Sequence, residues 1–164
     1  MKSKKDKLQE KVEWRNWDRA WKIKYYLESE SVYTPSLKVN EPFYSVIEEV
    51  LKRLPDEIFY IVEKKIMFRI ESSPKCTIRY HFKKSIPQNF NIFPHKIDIY
   101  TIILLPPCLK LSREALIGVI ANEIAHSVLA DYPGKSEDDL TEAWGFSAEI
   151  AAMKKAKKKT TKKS

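Results

Sequence analysis

The segment Gly118-Val119-Ile120-Ala121-Asn122-Glu123-Ile124-Ala125-His126-Ser127 decides how the rest of the chain is read. Asn122 and His126 stand four residues apart, so on a helix their side chains leave the same face one turn apart, and Glu123 directly follows Asn122. Upstream, Ser112 is placed as an N-cap with Glu114 in the first turn, which predicts a helix from about 112 to 130. Asp131-Tyr132-Pro133-Gly134 breaks it, and a further helix is expected from about Ser136 to Met153.

Toward the N-terminus the period changes. Ile97 to Leu104 (IDIYTIIL) reads as a strand, more uniformly apolar toward its end and stopped by Pro106-Pro107. Ile66 to Ile70 and Cys76 to Phe82 alternate and are joined through Ser72-Ser73-Pro74, which predicts two paired strands. Before them, Glu41 to Leu54 reads as a helix with Pro42 in its first turn and Phe43, Val46, Ile47, Val50, Leu51 and Leu54 as its apolar face. Pro55-Asp56-Glu57 restarts a short helical segment. Residues 8–30 lack Gly and Pro, and Trp14, Trp17, Trp21 and Tyr25 share one helical face, expected to pack into the core. The order of helices, strands and helices predicts an α+β fold with helices packed on a small sheet.

The Asn122-to-His126 segment resembles the His-Glu-x-x-His metal-binding helix of zincin metallopeptidases, with Asn122 in the place of the first histidine. In that motif two imidazoles one turn apart share a metal, and the carboxylate between them takes a proton from water at the metal. The preceding strand and Pro-Pro, the helix opening Leu111-Ser112-Arg113-Glu114, and the acidic stretch Glu137-Asp138-Asp139-Leu140-Thr141-Glu142-Ala143-Trp144-Gly145-Phe146 are similar to minimal metallopeptidases of the ImmA/IrrE and SprT-like kind. The resemblance covers about residues 97–150, and the earlier part only by order of elements.

The resemblance implies a zincin-like fold, a zinc cofactor, and a peptide or protein substrate held against the strand Ile97 to Leu104. It implies Glu123 as general base, His126 as a ligand, Asn122 at the first ligand position, and Glu137 or Asp138, ahead of Glu142, as the acidic third ligand. Asparagine offers a neutral oxygen, a poorer zinc donor than imidazole, so the implied peptidase is an impaired one. Restoring a second histidine would require His81, on an alternating strand, or His95, in a Phe-Pro-His-Lys turn. The competing arrangement is a buried hydrogen-bonded cluster of Asn122, Glu123 and His126 in a non-catalytic interaction protein on the same scaffold, with a basic tail for an acidic partner.

Composition sets the outer limits. At 164 residues, 43% hydrophobic and 32% charged, the chain is of a size and balance for one globular domain. Apolar runs such as Ile102 to Leu105 fall far short of the roughly 20 residues of a membrane span, and the basic N-terminus has no apolar stretch behind it. Two isolated cysteines, Cys76 and Cys108, make no disulfide framework, and a cytoplasmic location is expected. Three glycines rule out the usual phosphate-binding loops. The net charge of +8 resides in the tails. Without Lys154 to Ser164 the chain has 23 basic and 22 acidic residues, and without Met1 to Lys7 as well it has 19 and 21. The expected organisation is a basic tail at 1–7, one domain at 8–153, and a disordered lysine-rich tail at 154–164. That tail is read as a solvated segment, with electrostatic contact to nucleic acid as the competing reading.

Overall fold

The structure, a computed structural model, describes residues 18–28, 41–70, 79–86, 97–104 and 106–161. Among the described residues three helices come first: α1 (Arg19–Glu28), α2 (Glu41–Arg53) and α3 (Asp56–Lys65). Then follow strands β1 (Ile66–Ile70), β2 (Arg79–Ile86) and β3 (Ile97–Leu104), and a 3₁₀ turn at Pro106–Lys110. The chain closes with α4 (Arg113–Val128), a 3₁₀ turn at Leu129–Asp131, α5 (Glu137–Ala143) and α6 (Ser147–Thr161). The fold is α+β.

All six apolar residues predicted for the face of α2 are buried. They pack with Ile58, Phe59 and Val62 of α3 and with Ile23 and Leu27 of α1 into one core shared with the sheet and α4. Arg19 fastens α1 to the turn between α2 and α3. Its guanidinium donates to the carbonyls of Leu51 and Leu54, pairs with Asp56 at 2.5 Å, and lies over the Phe59 ring. These carbonyls close α2 and have no acceptor role within it, so the arginine acts as a C-cap supplied from another helix.

Five expectations are corrected. On α1 the buried stripe is Ile23 and Leu27, while Trp21 is 59% and Tyr25 52% exposed, so those two rings do not build the core; Trp14 and Trp17 lie outside the described residues. In the sheet β3 sits between β1 and β2 and pairs with both, parallel to β1 (Ile66 opposite Tyr100) and antiparallel to β2 (Arg79 opposite Leu104). The two earlier strands are therefore not partners, and the link at Ser72 to Pro74 lies outside the described residues. The buried run Ile102, Ile103, Leu104 carries the reason: residues pointing to both sides are covered, as in a central strand. It follows that from Tyr100 to Leu104 β3 cannot offer its main chain to an extended peptide, because both of its edges are already paired there.

The helix expected from Ser136 to Met153 is two helices. Gly145 adopts φ +82° between them, a left-handed turn that glycine enters without a Cβ clash. Trp144 and Phe146 on either side are buried, and Arg53 braces the joint by donating to the Gly145 carbonyl at 2.7 Å and lying 4.2 Å over the Phe146 ring. Finally, α6 carries on through Thr161, so Lys154, Lys155, Lys157, Lys158 and Lys159 are helical where a disordered tail was expected.

Candidate active site

α4 is the hub of the molecule, touching α2, β3, α5 and α6. Ser112 caps it, its hydroxyl accepting from the Ala115 amide at 3.2 Å, as its sequence position predicted. From Ala115 to Val128 the helix is buried on every side with a single exception, His126, whose side chain is 49% exposed. A helix buried all round is a core element, and one that opens at a single imidazole brings that imidazole to the surface against a large packing interest.

The neighbouring polar residues are placed differently. Asn122 and Glu123 are each only 4% exposed, and Ser127 donates to the Glu123 carbonyl at 2.8 Å. His126 is therefore not buried with Asn122 and Glu123: it shares a face with Asn122 but lies at its solvent end. What meets His126 is Glu137 from the first turn of α5: the ring Nδ1 and the carboxylate Oε1 are in direct contact. A carboxylate accepts, so in this contact the ring Nδ1 is the donor.

Three consecutive acids open α5, and the structure gives each a separate partner. Glu137 turns back to His126. Asp138 turns forward to Lys154 of α6, 2.5 Å away, and so is not part of the His126 group. Asp139 closes a capping box with Ser136, accepting from its amide at 2.8 Å while the serine hydroxyl accepts from the Asp139 amide at 3.1 Å. Those hydrogen bonds from Ser136 hold the Asp139 carboxyl below its ordinary range. The spacing Ser136-x-x-Asp139 marks the capping role in the sequence, whereas nothing local identifies the partner of Asp138, sixteen residues away. Glu142 is exposed. Of the other histidines, His81 lies in β2 opposite Ile102, its side chain undescribed, and His95 is outside the described residues.

The donors can be tested against zinc. An imidazole and a carboxylate in contact across two helices are of the kinds zinc takes and near enough to serve one ion, and Asn122 adds a neutral oxygen on the His126 face. Among the described residues no three side chains of His, Cys, Asp or Glu gather as a metal group. The fit thus consists of two good donors and a weak third.

Compared with family models, curated proteins and solved structures, the chain matches none.

Proposed function

We propose that the chain is a minimal zinc-dependent peptidase on a zincin-like scaffold, with a metal site weakened by Asn122, acting in the cytoplasm on peptide or protein substrates. The observation that supports it is the meeting of His126 and Glu137 from α4 and α5, the one place between Ala115 and Val128 where the core helix opens to solvent. His126 and Asn122 would hold the ion together with Glu137, the ion taking the place of the present Nδ1–carboxylate contact. Zinc, when bound, supplies Lewis acidity toward water and a peptide carbonyl. Glu123, next to Asn122 on the buried wall of α4, accepts the proton that water gives up and returns it to the leaving amine. Asp138 takes no part, being held by Lys154.

Zinc content and casein cleavage of protein purified without chelator test this reading. Binding of about one zinc per chain, with hydrolysis lost in Glu123→Gln and zinc affinity raised by Asn122→His, is the expected result. A folded, metal-free chain whose Asn122→His form also binds no zinc overturns it.

A second reading is favoured by Asn122 itself, because a neutral amide at a ligand position costs affinity without any gain in catalysis. In it the scaffold is a non-catalytic interaction protein, and the metal-free folded outcome of the same experiment supports it.

A further inference from the structure

The lysines of the C-terminal segment have no part in the site described above, and the helix gives them an order that the sequence alone did not. Between Ser147 and Lys159, Met153 is the last buried residue of α6. Beyond it Lys154, Lys155, Lys158 and Lys159 are exposed, while Ala156 and Lys157 are half-buried. At 100° per residue the four exposed lysines fall within an arc of about 140° on one side of the helix. Ser147, Ala148 and Ala151 are the exposed residues on the same arc one to two turns earlier, so the arc contains no acid and no large apolar side chain.

Lys154 is held by Asp138, which anchors the base of this ridge to α5. Among the described residues no acid pairs with Lys155, Lys158 or Lys159. Lys155 faces Lys158 and Lys159 at spacings of three and four, where like charges repel. A fold gains nothing by stacking them, whereas a polyanion laid along the ridge removes the repulsion and releases its own counterions.

We propose that the exposed lysine ridge of α6 is a binding surface for the phosphate backbone of nucleic acid, read without regard to sequence. Three features select this partner. Lys155 and Lys159 are one turn, about 6 Å, apart along the axis, a rise of roughly two phosphate intervals on a strand that carries one charge per roughly 3.4 Å. Lysine is a compact point charge without the planar fork that reads guanine edges, so it positions a backbone and specifies no base. The absence of large apolar side chains from the arc leaves nothing to insert into a lipid surface. Without its two tails the chain has slightly more acids than bases, so the body between them offers a polyanion no competing basic excess.

The test uses the full-length chain and two 20-base-pair duplexes of unrelated sequence, titrated by fluorescence anisotropy between 50 and 200 mM salt. The wild type is expected to bind both equally. Three phosphate contacts contribute about −2.7 to the slope of log affinity against log salt, about 40-fold over that range. Lys155→Gln/Lys158→Gln/Lys159→Gln should remove that share of the slope, and the corresponding triple arginine variant should keep it. Circular dichroism checks that the glutamine variant retains its helices, as exposed substitutions by a good helix former should. An unchanged slope in the glutamine variant, no binding by the wild type at 50 mM salt, or binding to phosphatidylserine vesicles with none to duplex overturns the proposal.

Discussion

The two ends of α4 meet the C-terminal helices in opposite ways. Near its N-terminal end Gly118 lies so close to α6 that a Cβ there would sit 2.2 Å from the Glu149 carbonyl oxygen and 3.1 Å from the Met153 Cβ. Eight residues on, about two turns along the same helix, His126 faces the first turn of α5 and is half open to water. One end is closed so tightly that only hydrogen fits, and the other presents a polar pair. A candidate site at His126 is held still because the crossing at Gly118 is rigid: α5 is tied to α6 by the short Gly145 joint, and α6 is seated on α4 at Gly118.

This comparison predicts its largest effect at the closed end. Gly118→Ala ordinarily gains helix propensity, but here the new methyl meets backbone, which cannot rotate away. We expect a net loss of about 2–3 kcal/mol and a fall in Tm of about 5–10 °C. Thermal unfolding followed by circular dichroism measures it. A Tm equal to or above wild type would show that α6 does not cross α4 at this residue, and the rigid support argued for His126 would go with it.

The next effect is at the strut that holds the crossing from outside. Arg53 of α2 pairs with Glu149 of α6 at 2.5 Å, and that hydrogen bond holds the Glu149 carboxyl below its ordinary value of 4.5. A folded-state pKa below the unfolded one gives stability that is complete above the unfolded value and is lost as pH falls through the folded one. Glu149 is only 14% exposed, so the pair is weakly screened. Glu149→Gln should therefore cost about 1–2 kcal/mol at neutral pH, and the gap between variant and wild type should narrow below pH 4.5. A gap that stays constant through the acid range would remove the ion pair as its cause.

What the sequence disclosed divides along the same line. Local signals were enough for α2, whose six apolar positions are all buried, and for the start of α4, fixed by Ser112. Glu137 is named beside Asp138 only through the family resemblance, and of the two it is Glu137 that meets His126. Local signals failed where the outcome depends on distant partners. Strand order could not be read because alternation in Ile66 to Ile70 and Arg79 to Ile86 is compatible with pairing to each other or to a third strand between them. The aromatic spacing of Trp21 and Tyr25 was periodic yet exposed, since the face that packs is the one carrying Ile23 and Leu27. Gly145 lay within a helical pattern, and only its positive φ and the Arg53 brace show it to be a joint. Gly118 looked like a small residue in an apolar run, and its contact with Glu149 is thirty-one residues away in sequence.

The smallest stability effect belongs to the open end, and it separates a site from a structural cluster. His126 and Glu137 are 49% and 32% exposed, so their contact is a solvent-facing pair worth about 0–1 kcal/mol. His126→Ala and Glu137→Gln should each leave Tm within about 2 °C of wild type, far from the drop expected of Gly118→Ala. A residue whose removal costs so little has no packing reason to interrupt a helix that is otherwise buried from Ala115 to Val128. The same two variants should lose any zinc affinity the wild type shows in isothermal titration, because they delete the two good donors. Had His126 belonged to a buried hydrogen-bonded network with Asn122 and Glu123, its truncation would leave polar groups unsatisfied and cost several times more. A Tm loss in His126→Ala comparable to that of Gly118→Ala would therefore place His126 in the packing of the core and withdraw the comparison on which the candidate site rests.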